Sequence, residues 1–429
     1  MVELAEVGYE RSLKRRQIMM MAFGAGIGTG LWVGTGTGPG GIAVSYTIMA
    51  CIVYIMYTSI GEMTADKPVH GGFTRQAGEY VDPALGFAIG INFWIIPAEI
   101  TACISLYGEV EFWFSFPKCL ALVAIIFFMI VMTRPPGAFV NGIRGIAAAF
   151  VQAGFSFGGS EHIAVMAGEA KDPRETVKRS RSPPLPLPDQ ACNLFGLAHA
   201  LDAFILITVV SCGITSAYIA SRTPCALSDL KWVHPVLGRK DSQGRPYVAM
   251  TIGMILGGGL CYQNCNSTAA EVYGWFSSLV GISGFLQWAT IYWMHIRFRK
   301  GLKAQGIDHK TLPFDDVLAP WSQYLGLTVI SLIMAAEFYL AVFPFNAKPS
   351  AENFFATYIA APLFVIDYFS YKWWHKTKVV RPEDMDFSEA FIFDELERRQ
   401  KAEAAAQPKA KAGKGPADIA RRVWSALVG

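Results

Sequence analysis

Charged residues are scarce in this chain, and the shortage indicates its class. Lys, Arg, Asp and Glu make up 17% of the 429 residues, against about 25% in a typical soluble domain. They also lie between long apolar runs, which is the pattern of a polytopic membrane protein. The net charge of +3 is too small to indicate nucleic-acid binding. We therefore predict an all-α polytopic membrane protein with the lipid bilayer as a partner and no nucleic acid.

The signatures of metal sites and enzymes are missing as well. The 8 cysteines form no CxxC pair, so the sequence does not support metal or redox chemistry. The apolar segments contain no paired His/Asp metal set and no Ser–His arrangement. We expect no metal and no cofactor, and we predict that the chain is not an enzyme. Residues 1–16 are polar and charged, so we expect the first apolar run to act as the insertion signal in place of a cleavable peptide.

Apolar runs of membrane-spanning length recur along residues 17–376, the predicted transmembrane domain. The preceding residues 1–16 end in Lys14-Arg15-Arg16, which by the positive-inside rule predicts a cytosolic N-terminal tail. Residues 377–429 are charged and rich in Ala and Lys, which predicts a largely disordered cytosolic tail. About ten spans are predicted, near residues 17–38, 41–63, 84–107, 111–133, 143–168, 200–221, 247–263, 272–295, 322–344 and 353–374.

A glycine cluster, Gly24-Ala25-Gly26-Ile27-Gly28-Thr29-Gly30, interrupts the first predicted span. Gly costs about 1 kcal/mol relative to Ala in a helix interior. A membrane span tolerates an opened backbone only where it lines a cavity or is buried in protein. The free amides of such a break suit a carboxylate. Close helix packing through small residues fits the cluster equally well when it is considered alone.

A second break, Phe155-Ser156-Phe157-Gly158-Gly159-Ser160-Glu161, lies in a later span and favours the binding interpretation. Interrupted helices in corresponding positions of two halves are the best indication in a sequence of a transporter site. Phe155, Phe157 and Gly159 would offer an apolar wall and an open backbone. The alternative is an ordinary flexible helix.

Carboxylates inside predicted spans are candidates for carrying a proton, because ionisable groups are costly in a membrane. Glu99 lies in the middle of its span and is the favoured candidate. A structural Glu bonded to a neighbouring helix is the alternative. Glu62 and Glu161 lie nearer the ends of their spans and are less favoured.

With these motifs the chain resembles fungal amino acid permeases, the yeast amino acid transporter family of the amino acid–polyamine–organocation superfamily. The resemblance covers most of residues 12–390. It rests on Leu13-Lys14-Arg15-Arg16, Gly26-Ile27-Gly28-Thr29-Gly30-Leu31, Gly61-Glu62-Met63, Pro97-Ala98-Glu99, Phe155-Ser156-Phe157-Gly158-Gly159-Ser160-Glu161, Ala170-Lys171-Asp172-Pro173-Arg174, Ala220-Ser221-Arg222-Thr223, His295-Ile296-Arg297-Phe298, Phe343-Pro344 and Lys348-Pro349-Ser350.

The resemblance implies a leucine-transporter-type fold, a five-plus-five inverted repeat with two further C-terminal helices. It implies a proton symporter that imports amino acids across the plasma membrane by alternating access, with both tails cytosolic. Amino acids and protons are then partners, and trafficking or ubiquitination machinery would act on the tails. A non-transporting amino acid sensor or receptor on the same fold is the alternative function, which a long signalling extension would favour.

The resemblance also assigns roles to residues. The amino acid's carboxylate and amino group are held in that family by the opened turns of spans one and six, and the family's acidic residue in span three corresponds to Glu99, the expected proton-coupling residue. The implied substrate-binding residues are Ala25, Gly26, Ile27, Gly28, Thr29, Phe155, Ser156, Phe157, Gly158 and Gly159.

The chain departs from the family in its number of spans. The family has twelve, and the region between Ser105 and Glu109 is too short for the fourth. A proline run at residues 183–188 occupies the place of the seventh. Losing one span inverts the orientation of every later segment, so the orientation of residues 109–181 conflicts with their charged flanks. Insertion against those flanks, compensation by another segment and a gene model that lost coding sequence are the three explanations.

Overall fold

The computed structural model describes residues 39–95, 142–158, 161–162, 216, 218–241, 244–253, 255, 269–343 and 350–406. All regular structure within these ranges is helical. In chain order the helices are α1 (Pro39–Asp66), α2 (Gly72–Tyr80), α3 (Pro83–Ile95), α4 (Gly142–Phe157), α5 (218–229), α6 (247–253), α7 (Ala269–Ala304), α8 (Trp321–Val342), α9 (Ala351–Tyr358), α10 (Ala360–His375) and α11 (Ser388–Ala406).

Prolines set several of these helix boundaries. α1 begins at Pro39 and α3 at Pro83, and proline suits the first helical position because its missing N–H would have no partner there. Pro362 lies four residues after Tyr358, the last residue of α9, and a proline ring clashes with the carbonyl four residues before it. Two helices, separated at Ile359, therefore occupy the predicted span at 353–374, and whether they cross the membrane as one span stays a prediction.

Within the part of the chain that the structure describes, two helices are long and apolar enough to cross a bilayer, judged by length and composition. They are Val44–Asp66, which lies within α1, and Trp321–Val342, which is α8. A shorter apolar helix covers Pro83–Trp94. The outer face of α8 exposes Trp321 and Leu332, as expected of a helix that faces lipid.

The longest helix, α7, forms the centre of the described packing. It contacts α1, α2, α4 and α8, and its Trp288 and Tyr292 are fully buried. The Tyr292 hydroxyl donates a hydrogen bond to the carbonyl of Ile52 in α1 at 2.6 Å. With 36 residues at about 1.5 Å each, α7 exceeds the hydrocarbon thickness of about 30 Å. The charged residues after the predicted end of the span at 295 continue the same helix to Ala304.

The C-terminal segment differs from the largely disordered tail that we expected at residues 377–429. Residues 388–406 form α11, and Met385 and Phe387 are buried in the core. The N–H of Val380 donates to the carbonyl of Val81 at 2.8 Å. Apolar side chains at 385 and 387 supply the burial that a purely polar segment could not, and this orders the chain. Residues 407–429 lie outside the described part.

Candidate functional site

The second predicted break lies at the end of α4. This helix ends at Phe157, inside the segment where the sequence predicts an interruption. Phe155 lies in its last turn, and Ser156 and Phe157 are buried. Gly158 comes next, in a turn, and is half-buried. The last four carbonyls of a helix have no partners within the helix itself, so the carbonyls of this last turn can accept hydrogen bonds from outside α4.

A pair of hydroxyl groups joins the end of α4 to α1. The hydroxyls of Tyr46 and Ser156 are 2.8 Å apart and share a hydrogen bond. The Phe157 ring packs at a tilt against Tyr46, with 6.2 Å between ring centroids. Nearer the start of α4, the Ser45 hydroxyl donates to the carbonyl of Ile146 at 2.9 Å. Ser156, a predicted binding residue, is therefore held by α1, and the Phe157 side chain forms part of the core.

Beyond the break, Glu161 is held by α7. Its Oε2 accepts a hydrogen bond from the indole N–H of Trp288 at 3.1 Å, and both side chains are buried. Hydrogen bonds to a charged group are stronger than those between neutral groups. The approach of α4 to α7 depends on Gly154, because a Cβ there would lie 2.5 Å from the Phe285 ring. Trp288 was not among the residues that the sequence singled out, since a lone Trp in an apolar run does not differ from an ordinary core residue.

Polar side chains also join α3 to α7 near this segment. The side-chain amide of Asn92 donates to the Ser283 hydroxyl at 3.2 Å, and Gln287 Nε2 donates to Asn92 Oδ1 at 3.3 Å. One residue further along α3, the Phe93 ring meets the His162 imidazole edge-on at 5.4 Å. The buried residues between α3, α4 and α7 are thus partly polar, as expected beside a site for a small polar ligand.

The other predicted site residues fall outside the part of the chain that the structure describes. Ala25, Gly26, Ile27, Gly28 and Thr29 precede α1. Glu99 and Gly159 lie in gaps that come after Ile95 and Gly158. Their roles stay predictions.

Glu62, a less favoured candidate from the sequence, lies in a buried ionic cluster at the end of α1. Its Oε2 is 3.1 Å from His295 Nε2 and 2.7 Å from Arg299 Nη2. Its Oε1 is 2.6 Å from Arg299 Nε, an ion pair without the alignment of a hydrogen bond. The guanidinium therefore neutralises this carboxylate, so Glu62 differs from the isolated acid expected of a proton carrier.

The same cluster also contains side-chain atoms of the kinds that bind metal ions. Ligand atoms of Glu62, His295 and Asp316 all lie within 4.8 Å of one another. However, Arg299 faces both oxygens of Glu62, and Asp316 already accepts from Gln323 Nε2 at 2.7 Å. A cation would have to displace the guanidinium, so the donor set fits an ion-pair network better than a metal centre.

Comparison with known proteins assigns the chain to a family. The amino acid permease family model matches residues 17–106, 100–182 and 190–382. Among curated proteins, the chain is 28% identical to amino-acid permease GAP5 of Candida albicans, over 88% of this chain and 76% of that protein. It is 27% identical to the probable amino-acid permease meu22 of Schizosaccharomyces pombe, over 89% of this chain and 83% of that protein.

A third relative is the general amino-acid permease GAP1 of Saccharomyces cerevisiae, 27% identical over 86% of this chain and 78% of that protein. The three pieces of the family match together extend over most of the chain. The helical structure agrees with such a protein, because all regular structure in the described ranges is α or 3₁₀. The chain belongs to the amino acid permease family, whose members are all-α multi-pass membrane transporters rather than enzymes.

Proposed function

We propose that this chain imports amino acids together with protons across the plasma membrane by alternating access. The observation that carries the proposal is the family match, which extends from residue 17 to residue 382. The relatives are named as amino-acid permeases, and one as a general amino-acid permease. Alternating access in folds with inverted repeats is largely the rocking of one helix bundle against the rest around a central site.

The substrate would be held between the two broken segments. An opened backbone at Ala25–Thr29 would supply amides for the carboxylate, because free N–H groups and the positive end of a half-helix both favour an anion. The C-terminal end of α4 at Phe157 is the negative end of a helix dipole, which would favour the amino group. The backbone from Phe155 to Gly159 would thus bind the ammonium, and Phe155 would lie against the substrate's side chain.

Glu99 would carry the coupled proton, as the acid of the third span. Glu161 is a second carboxylate, just beyond the end of α4, and its bond to Trp288 at 3.1 Å ties the segment beyond the break to α7. A substrate that moves this segment would therefore also move α7. This connection supports coupling between ligand binding and helix rearrangement.

The chain as written would also lack the family's fourth and seventh spans. The family match is divided into three pieces, which meet at residues 100–106 and at residues 182–190. These are the two places where the sequence has no room for a span. Sequencing the transcript tests this part of the proposal directly. A messenger that encodes further apolar helices near Ser105 and Arg181 would mean that this chain is an incomplete version of a functional permease.

Uptake of radiolabelled amino acids, with and without a pH gradient, tests the main proposal. The chain would be produced in a fungal strain with low endogenous uptake, and its presence at the plasma membrane would be checked by surface labelling. Uptake that rises with external acidity is the expected result, and Glu99→Gln should remove that dependence. Absence of gradient-dependent uptake by a surface-located chain would refute the proposal. Binding of amino acids without flux would instead identify a sensor.

A further inference from the structure

We propose that Glu62 and Arg299 form a lock that closes one end of the transport pathway and opens in every cycle. The inference rests on the proposed function, because a lock of this kind has a role only in a protein that alternates between two conformations. It adds two gating residues to the substrate and proton residues already named. The end that it closes carries Arg297, Arg299 and Lys300, and the positive-inside rule places such a flank in the cytosol.

The lock begins with the four contacts that one carboxylate makes. Arg299 lies against both oxygens of Glu62, at 2.6 Å from Oε1 and 2.7 Å from Oε2. His295, one turn earlier on α7, is 3.1 Å from Oε2. The backbone N–H of Asp316 donates to the same oxygen at 3.1 Å. A single side chain of α1 thereby holds two turns of α7 and the loop that precedes α8.

A second layer of contacts ties α8 to the same face of α1. Gln323 donates to Asp316 Oδ2 at 2.7 Å and to the Ser59 hydroxyl at 2.9 Å. Ser59 and Glu62 are three residues apart and so lie on one face of α1. Arg299 also donates to Asp315 Oδ1 at 2.8 Å. These polar contacts therefore join the three elements at this end of α1.

Burial makes this arrangement two-state rather than gradual. Glu62, His295 and Gln323 are 0% exposed. A buried charge that loses its partner without gaining water is strongly unfavourable. Partial separation would leave Glu62 or Arg299 in that condition, so the network is stable when fully formed or when fully hydrated. Bistable contacts of this kind convert small shifts at a ligand site into rigid-body motion.

The position of the lock links it to the substrate site. α1 begins at Pro39, directly after the first predicted span, and its Tyr46 holds Ser156 at the second break. On the other side of the lock, α7 holds Glu161 through Trp288. The two helices that the lock joins are therefore the same two that hold the segment around the second break. Movement of that segment would pull on the Glu62–Arg299 pair from both sides.

Hydrogen–deuterium exchange of the full-length chain in proteoliposomes tests the lock without depending on flux. Amides in residues 59–66 and 313–323 report its opening. Glu62→Gln, which keeps the side-chain shape but removes the charge, should raise their exchange at least tenfold. Gln323→Met tests the second layer while leaving Glu62 paired with Arg299, and is informative if Glu62→Gln fails to fold. Glu395→Gln, which breaks an exposed i,i+4 pair with Arg399, is the matched control and should change nothing in these peptides.

The response to substrate distinguishes a contact that opens during the transport cycle from one that stays closed throughout. An equimolar mixture of the twenty common amino acids should raise exchange at residues 59–66 and 313–323 in the unmodified chain, and raise it little further in Glu62→Gln. Unchanged exchange in both Glu62→Gln and Gln323→Met, or no response of the unmodified chain to the mixture, would overturn the lock. Flux measured in the same vesicles tests the proposed function separately. A response without flux would leave the lock in place and refute transport.

Discussion

Acidification should weaken the link between α1 and α2 through one buried histidine, His70. Its side chain is 8% exposed. Burial, and then the positive charges of Lys240, Arg222 and Arg75, lower the pKa of His70 from 6.5 to about 3. Asp229 lies 4.0 Å from His70 Nε2 but is 45% exposed, so water screens its opposing attraction. His70 is therefore neutral in the folded protein from pH 7.5 down to pH 5, well above its pKa of about 3.

The sign of the pH effect comes from this lowered pKa. The unfolded chain takes up a proton at His70 near pH 6.5 while the folded chain does not. Stability from the neutral imidazole is thus fully present above pH 6.5 and is lost as the pH falls towards 3. Between pH 6.5 and about 3, each pH unit of acidification lowers the stability contributed by His70 by about 1.4 kcal/mol. Acidification from pH 7.5 to pH 5 should lower the free energy of opening by about 2 kcal/mol.

Native-state hydrogen exchange at residues 66–72, corrected for the intrinsic pH dependence of exchange, measures this free energy in the purified chain. His70→Gln cannot take up the proton, so its opening energy should be nearly constant over the same pH range. His375→Gln, at the exposed end of α10, is the control and should retain the pH dependence of the unmodified chain. An equal loss on acidification in His70→Gln and the unmodified chain would refute the reasoning.

Two further substitutions test the packing around the site and the tail. Tyr46→Phe removes the hydroxyl that bonds Ser156 and should lower the free energy of unfolding by about 1 kcal/mol. Uptake in the transport assay should also be slower. A variant as stable as the unmodified chain would contradict the assignment. Gly301→Ala would place a Cβ against Met385 and 3.2 Å from the Phe387 ring, so it should cost about 1–3 kcal/mol and speed proteolysis of the tail. Gly284→Ala in the same helix meets nothing within 4 Å and should leave the tail protected; equal cleavage in both variants would show that the tail does not dock at Gly301.

The sequence predicted the helices better than their ends. The apolar run at 41–63 gave α1, and that at 322–344 gave α8, each within a few residues of the observed bounds. The apolar run at 272–295 is shorter than α7, which extends to Ala304. The run ends at the first charged residues, whereas helical hydrogen bonding continues through them. The run at 353–374 became two helices, because hydropathy carries no information on the clash that Pro362 creates.

The sequence alone determined the class of protein, because scarce charge, long apolar runs and the permease motifs all lie in the order of residues. It also located two segments where a helix is expected to open, and α4 does end within the second of them, at Phe157. Only the tertiary structure decided which residues hold these segments, since the partners are far apart along the chain. Tyr46 meets Ser156 over 110 positions, and Glu62 meets Arg299 over 237. In the sequence Glu62 was an isolated acid near the end of a span, whereas the fold surrounds it with Arg299, His295 and the amide of Asp316 and makes it a contact between helices.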